Sequence, residues 1–392
     1  MRLAIVATHP IQYYAPWFQR VAAEPGIDAR VFYLWTFGVT DQHDPGFGRA
    51  IRWDLPLLEG YASEFVDNTS RDPGTHHFSG LKNPALPDRL RAFRPDAILV
   101  YGYNFATHQR LIWNWDRAAA PLLFRGDSHR LVPRRGPNEW IRRHWISTVF
   151  GRFGAFLHVG EANLAYFRHH GVPDEKLFFA PHAVDNDRFS AAPAEVRAAS
   201  GQWRTELGIP ADQRVILFAG KLQPKKQPQD LIAAFLQLDR KDVTLLLVGD
   251  GELAGASRAQ AAGNPRIVFA PFQNQTAMPR TYAAADLFVL PSLGSDETWG
   301  LAVNEAMCLG KPIIVSSHVG CAPDLVSHGE NGLVFPAGDV TALAAALREA
   351  FSDPIRLARW GERSREIVAG YSYAHALAGL KLACHALRVD RP

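Results

Sequence analysis

Cysteine is scarce in this chain. Cys308, Cys321 and Cys384 are the only three in 392 residues, and each stands alone with no CxxC spacing. That excludes a disulfide framework and a cysteine-based zinc site, and leaves three small hydrophobes of a reducing compartment. Long apolar runs are also missing: nothing approaches the ~20 residues a membrane-spanning helix requires. The opening MRLAIVATHP has too short an apolar stretch for a signal-peptide core and is broken by His9-Pro10. The expected location is therefore cytoplasmic. Neither sign of charge dominates, with 42 Lys and Arg against 39 Asp and Glu, so nothing global points to nucleic acid. Histidine is plentiful at fifteen, yet neither His76-His77 nor His169-His170 shows partners at metal-ligand spacing, and no metal is expected.

What is present is enough for two cores. Apolar residues are 47% and charged residues 21% of a length that suits two domains. Short apolar runs at 3–7, 29–34, 97–102, 121–124 and 155–159 alternate with helical stretches. The same grammar restarts at 215–220 and continues at 244–249, 266–270, 286–290, 312–315 and 332–335. Continuous rather than alternating apolar runs indicate strands covered on both faces, hence parallel sheets in an α/β fold. Between the halves, residues 185–213 are rich in Ala, Pro and Ser and read as a linker with one helical stretch. Two doubly wound, Rossmann-like domains would open their ligand sites at the strand carboxyl ends, along an interdomain cleft.

The richest segment is DETWGLAVNEAMCLGKPII, 296–314. Glu297 sits in a loop after the strand DLFVL, Thr298 is the expected N-cap, and Glu305 falls in the second helical turn. Trp299, Val303, Ala306, Met307 and Gly310 follow a 3–4 spacing on one face, and Gly310 and Pro312 end the helix. Eight positions place the carboxylates about 12 Å apart along a helix axis. That exceeds the reach of a shared acid–base pair and suits two contacts to one extended ligand. The N–H groups of Trp299, Gly300 and Leu301 at the helix start would form an anion site, with Gly300 permitting close approach. A phosphate flanked by hydroxyl-binding acids describes a sugar nucleotide.

The stretch ETWGLAVNEAMCLGKP resembles the E-x7-E signature of retaining GT-B glycosyltransferases of the large family 4 type (glycosyl transferases group 1). VILFAGKLQPKKQPQDLIAAF (215–235), AAADLFVLPS (283–292), GENGLVFP (329–336) and PHAVDNDRF (181–189) are similar to its donor-diphosphate, framing and interdomain segments. The resemblance implies domains at 1–190, 191–372 and a C-terminal helix, 373–392, crossing back to the first. It implies that Gly220, Lys221 and Lys226 hold the donor diphosphate, that Glu297 holds the donor sugar and Glu305 the ribose. Lys221 stands where the family has arginine, losing the bidentate fork. Trp299 replaces a phenylalanine whose backbone N–H does the work. No cofactor is implied, and the reaction proceeds with retention and without a metal.

In the N-terminal half, ATHPIQYYAPWF (7–18) follows the first strand, where the family commonly carries a Gly-rich loop. His9, Gln12 and Tyr13 offer hydrogen bonds and stacking to an acceptor sugar, whereas Tyr14 and Trp17 fit a core role equally well. PLLFRGDSH (121–129) supplies the second candidate. Either Asp127 or His129 stands where the resemblance places a catalytic-region histidine. Residues 110–152 hold nine arginines against three acids, and NEWIRRHWISTVFGRF (138–153) interleaves arginines with aromatics. Such a helix is a candidate for an anionic membrane surface, peripheral on the inner face, or packs through its tryptophans. Asp185-Asn186-Asp187 matches a D-x-D metal motif but lies away from any diphosphate loop. Gly249-Asp250-Gly251 reads as a turn and Asp41–Asp44 as a surface loop.

The expected function is transfer of a sugar from a UDP- or GDP-sugar to a glycan or lipid-linked acceptor hydroxyl, in glycan, glycolipid or surface polysaccharide assembly. A sugar-nucleotide epimerase and a non-catalytic sugar-nucleotide-binding protein are the alternatives.

Overall fold

Apolar runs that lack polar alternation become strands buried on both faces, and here they build two separate parallel sheets. The computed structural model describes residues 1–39, 42–44, 49–133, 136, 138–190 and 193–389. The first unit comprises Met1–Gln42, Ile51–His182 and Tyr373–Pro392, and the second His43–Ala50 and Ala183–Ser372. Strands in chain order are β1 (Arg2–Ala7), β2 (Asp28–Tyr33), β3 (Gln42–Asp44), β4 (Arg49–Ile51), β5 (Ala62–Phe65), β6 (Ala97–Tyr101), β7 (Leu122–Arg125), β8 (Ala155–His158) and β9 (Leu177–Phe179). Then follow β10 (Arg214–Ala219), β11 (Val243–Val248), β12 (Ile267–Ala270), β13 (Leu287–Leu290), β14 (Ile313–Ser316) and β15 (Gly332–Phe335).

The first unit's sheet runs β5-β2-β1-β6-β7-β8-β9 and the second unit's β12-β11-β10-β13-β14-β15; β3 and β4 form a separate two-stranded ladder. Among the described residues, the strand pairings of the two large sheets are parallel. Both orders are the doubly wound pattern, in which ligands settle outside the carboxyl ends of the strands where the winding reverses. In the second unit that point lies between β10 and β13, paired in register at Ile216–Leu287 and Leu217–Phe288. Its core is Ile216, Phe218, Leu245, Leu247 and Val289 packed under Leu231, Phe235, Leu343 and Leu347.

The chain's end belongs to the first unit. The helix Tyr373–Val389 packs on β8 and β9 and on the helix Ala15–Ala23. Gly379 lies so close to β9 that a Cβ there would sit 1.9 Å from the Phe179 oxygen, and the Tyr373 hydroxyl donates to the Tyr13 carbonyl at 2.9 Å.

Three expectations are corrected. Residues 185–213 are no linker: the helices Asn186–Ser190 and Pro193–Glu206 pack into the second unit, burying Phe189 and Trp203. The 296–314 helix starts at Leu301, with Gly300, not Thr298, as its N-cap at φ +99°. It carries no single apolar stripe, since Val303 through Cys308 are all buried. The aromatic helix, Asn138–Phe150, packs through Ile146, Val149 and Phe150. Trp140 is 73% and Trp145 43% exposed, and among the described residues only Trp145 of the two has a ring contact with the core, 5.7 Å from Tyr103. Gln42–Asp44 forms β3, whereas Asp41 and, in the basic stretch, Arg134 and Arg135 lie outside the described residues.

The three cysteines are buried free thiols. His108 is fully buried beneath Phe105, and neither ring nitrogen finds a hydrogen-bond partner among the described residues. Burial lowers its pKa from 6.5 to about 4. The unfolded chain therefore binds a proton that the folded one refuses, and stability present above pH 6.5 drains away as pH falls toward 4. From that shift, one such histidine costs about 2 kcal/mol at pH 5. His108→Leu is expected to stabilise the protein by about 1 kcal/mol at pH 7 and to flatten the loss between pH 7 and 5 in urea titrations. An unchanged pH slope would show that His108 is not the titrating group.

Candidate functional site

β10 and β13 deliver two loops to the reversal point of the second sheet. After β10 come Gly220 and Lys221, then a short 3₁₀ turn, Pro224–Lys226. The first part of this loop is zipped to the end of β11: Gly220 N donates to Val248 O at 3.0 Å and Leu222 N to Asp250 O at 2.9 Å. A Cβ at Gly249 would lie 2.0 Å from the Gly220 oxygen, and one at Gly251 2.6 Å from the Leu222 oxygen. Gly249-Asp250-Gly251 is thus more than a turn. Its two missing side chains let the Lys221 loop lie flat on β11. Gln227 follows Lys226 in the left-handed region at φ +51°, and the helix Pro228–Leu236 begins.

The β13 loop is strapped from the other side. The Ser316 hydroxyl donates to the Ser292 carbonyl, Leu293 N donates to Lys225 O at 2.8 Å, and Gly294 N donates to His318 Nδ1 at 3.2 Å. Gly320 N and Cys321 N donate to the carbonyls of Glu297 and Trp299 at 3.0 and 2.9 Å. Gly320 makes this possible, because a Cβ would stand 1.8 Å from the Thr298 oxygen. The strap 318–321 is a part of the site that sequence reasoning missed; its one signal was a lone glycine after a strand.

Between the two loops Lys226 Nζ forms an ion pair with Glu297 Oε2. The same oxygen accepts from the Ser292 hydroxyl at 2.8 Å. Both side chains are largely buried, 17% and 9% exposed. Burial works to raise the Glu297 carboxyl, yet the Lys226 ammonium, the Ser292 hydroxyl and the Lys225 charge outweigh it, and the carboxyl is held below its ordinary 4.5.

Glu305 lies on the helix Leu301–Cys308, 1% exposed, and accepts from the Tyr282 hydroxyl at 2.6 Å. The two glutamates therefore have different protein partners, Tyr282 for Glu305 and Lys226 with Ser292 for Glu297. Since residues 297–300 precede the helix, the 12 Å axial separation does not describe them. Trp299 is buried, with Nε1 donating to Asn304 Oδ1 at 2.8 Å. Gly300 is required for its positive φ and because a Cβ would meet Leu290 and Val319 at 3.0 Å. Beyond this cap, Leu301 N and Ala302 N head the helix, where no intrahelical partner exists. Asp185-Asn186-Asp187 is a helix start, with Asp185 Oδ1 accepting from Arg188 N at 3.2 Å.

The first unit gathers a second polar group. Asp127 Oδ2 lies 3.4 Å from His182 Nε2. Burial lowers the His182 pKa, partly offset by the hydrogen bond and charge of Asp127. Arg125 is buried and donates to Ala180 O at 2.8 Å and Pro181 O at 3.2 Å, which fixes the main chain leading to His182. The Tyr14 ring packs tilted against Tyr101, 4.9 Å between centroids; burial, then the Asp127 charge, raises its hydroxyl pKa. His129 Nδ1 accepts from Leu131 N at 3.2 Å. His182 was a missed residue; it stood in the PHAVDNDRF segment. His9 accepts or donates with Thr8 at 3.0 Å and packs edge-on against Trp35 and Phe37. Gln12 is half-buried, Tyr13 contributes its carbonyl to Tyr373, and Trp17 is core, its Nε1 donating to Tyr101 at 2.9 Å.

Two Rossmann-type units, one with a cation–carboxylate pair at its winding reversal, define the GT-B class. Residues 200–367 match the model of the glycosyl transferases group 1 family. A D-inositol 3-phosphate glycosyltransferase from Nocardia farcinica is 30% identical over 91% of this chain and 80% of its own. A sucrose-phosphate synthase from Thermosynechococcus elongatus superposes with a TM-score of 0.72, at 21% identity over 100% of both chains. The Anabaena protein HepE, solved with UDP and glucose, superposes with a TM-score of 0.72 at 19% identity over 97% of this chain and 98% of its own. The chain belongs to the glycosyl transferases group 1 family, and its class of activity is sugar transfer.

Removing the cation from a buried pair strands the anion, at about 3–5 kcal/mol. Lys226→Ala is expected to destabilise the protein by that order at pH 7. Because Glu297 is depressed, the difference from wild type is present above pH 4.5 and shrinks as pH falls through the folded pKa. A difference constant from pH 7 to 3 in urea titrations would rule out the ion pair as its origin.

Proposed function

We propose that the protein is a retaining glycosyltransferase that takes its sugar from a nucleoside diphosphate donor bound at the second unit's reversal point. The observation that carries this reading is the buried Lys226–Glu297–Ser292 cluster facing the glycine-capped start of the helix Leu301–Cys308. A diphosphate suits the N–H groups at that start and the Lys226 and Lys221 ammoniums. These would stabilise charge on the departing diphosphate, a preorganised electrostatic role that needs no metal. Lys226 serves Glu297 when no donor is present. Diphosphate binding draws the ammonium away, and Glu297 then accepts hydroxyls of the donor sugar. HepE, solved with UDP and glucose, supports a uridine donor.

The acceptor hydroxyl, on a glycan or lipid-linked sugar, is assigned to the first unit. Asp127 with His182 orients it, and His9, Gln12 and Tyr13 contact it. Transfer serves glycan, glycolipid or surface polysaccharide assembly. Among the described residues no helix is long and apolar enough to cross a membrane. Peripheral binding to an anionic bilayer is assigned to the helix Asn138–Phe150, where Trp140 and Ile141 stand 73% and 61% exposed beside Arg142 and Arg143.

UDP, GDP and their sugars are screened by thermal shift with and without chelator. One nucleotide at 100-fold excess over Kd should add about 2.7 kcal/mol, chelator or not. Lys226→Ala should abolish that increment. Glu297→Gln, which frees Lys226, should bind the nucleoside diphosphate at least as well as wild type while transfer falls at least 100-fold. Loss of nucleotide binding in Glu297→Gln would refute the exchange of partners, and interconversion of donor sugars without an acceptor would make the protein an epimerase. For the membrane surface, co-sedimentation with anionic vesicles should weaken in Trp140→Ala/Ile141→Ala; equal binding by both proteins removes the helix from that role.

A further inference from the structure

The segment after β5 takes no part in the transfer just described, yet it is built with care. Asn68 ties its two ends together: Nδ2 donates to Gly80 O at 2.8 Å, and Oδ1 accepts from Ser70 N and Lys82 N at 3.0 and 2.9 Å. Thr69 N donates to Lys82 O at 2.8 Å and Gly74 N to Gly80 O at 3.2 Å. A Cβ on Gly80 would lie 2.1 Å from the Gly74 oxygen, so the two strands of the loop touch through main chain alone. The next residue but two, Asn83, is buried and donates to the carbonyls of Leu34 and Val66 at 3.0 and 2.7 Å, which roots the loop in the core. Its shape is fixed independently of what its tip binds.

At the tip, three side chains converge. His76 Nε2 is 3.0 Å and His77 Nε2 3.2 Å from a single oxygen, Asp72 Oδ2, and the ligand atoms of all three residues lie within 4.8 Å of one another. The imidazole rings stand 4.6 Å apart at 69°. Donors held at about 2.0–2.1 Å around tetrahedral zinc are roughly 3.3 Å from each other, close to both measured separations. Gly74 is part of the arrangement, because a Cβ there would come within 2.5 Å of His76 Nδ1 and push the ring out. Exposures of 61%, 36% and 70% for His76, His77 and Asp72 leave a fourth position open to water. Two imidazole nitrogens and one carboxylate oxygen suit a divalent transition metal, not magnesium or calcium. The histidine pair had shown no partner at metal-ligand spacing in the sequence; the missing ligand is an acid four residues upstream of His76.

We propose that Asp72, His76 and His77 form a surface site for a divalent transition-metal ion of the zinc class, clipping the 68–82 loop. Without metal, His76 Nε2 pairs with the Asp72 carboxylate at 3.0 Å and His77 Nε2 with the Asp72 carbonyl oxygen at 3.1 Å. With metal, each neutral ring carries its proton on Nδ1 and presents the Nε2 lone pair.

The test is isothermal titration of the metal-stripped full chain with zinc chloride, with visible spectra of the cobalt(II) form. One saturable equivalent per chain is expected, with d–d bands and no thiolate charge transfer. His76→Ala, His77→Ala and Asp72→Asn should each weaken affinity at least tenfold, whereas His144→Ala, an exposed histidine elsewhere, should not. Absence of saturable binding overturns the proposal, as does one equivalent that survives in His76→Ala/His77→Ala. The loop is exposed and held by its main chain, so circular dichroism of the variants should match wild type. No nucleotide enters the experiment, so its outcome is separate from that of the donor reading.

Discussion

The ion pair between Lys226 and Glu297 puts a positive and a negative charge under the surface at the one place in the second sheet where the winding reverses. Burying either alone would cost several kcal/mol, so each is folded into place only with the other. The surrounding loops follow from that requirement. Gly249 and Gly251 let the Lys221–Lys226 loop press onto β11, and Gly320 lets the 318–321 strap press onto Glu297 and Trp299. Ser292, held by Ser316, supplies the hydroxyl that fixes the carboxylate oxygen. Two side chains distant in sequence, Lys226 and Ser292, thus meet at one carboxylate, with the end of β11 and the 318–321 strap bracing their loops.

Much of the frame was legible in the chain. Runs such as VILFA and TLLLV are apolar on successive residues because β10 and β11 are covered on both faces, and that reading gave the parallel sheets. The edge strands of the first sheet were not legible. ASEF in β5 is partly exposed, and LFF in β9 is three residues long, too little for a pattern. The polar composition of 185–213 suggested a linker, yet Phe189 and Trp203 are enough to dock its helices. Composition averages over the one or two anchors that decide packing. The start of the Leu301–Cys308 helix went astray for a similar reason: Thr298 is a good capping residue, but a glycine at positive φ takes the turn instead.

For the site, sequence named the glutamates and Lys226 but not their relation. A motif of spaced residues records which groups are present and is silent on which pairs form in three dimensions. His182 and the 318–321 strap were invisible because their role depends on contacts across the fold. The choice between Asp127 and His129 was open in the sequence; geometry places Asp127 beside His182, and His129 on the Leu131 amide. The same blindness applied to Asp72, since an acid four residues before a histidine pair becomes a third ligand only when the loop closes.

The two polar clusters also show how one chain keeps charged groups ready in the absence of ligand. In the second unit the solution is mutual neutralisation: Lys226 satisfies Glu297, whose carboxyl is held below its ordinary range and so stays ionised at neutral pH. In the first unit burial pushes His182 toward its neutral form, while Asp127 remains partly open to solvent, 37% exposed. A neutral imidazole next to a solvated carboxylate can accept or donate a hydrogen bond without importing net charge. A buried ion pair, by contrast, yields only to a ligand that brings charge of its own. Under the proposed function, the Lys226 site is therefore the one matched to an anionic group such as a diphosphate, and the Asp127–His182 pair the one matched to an uncharged hydroxyl.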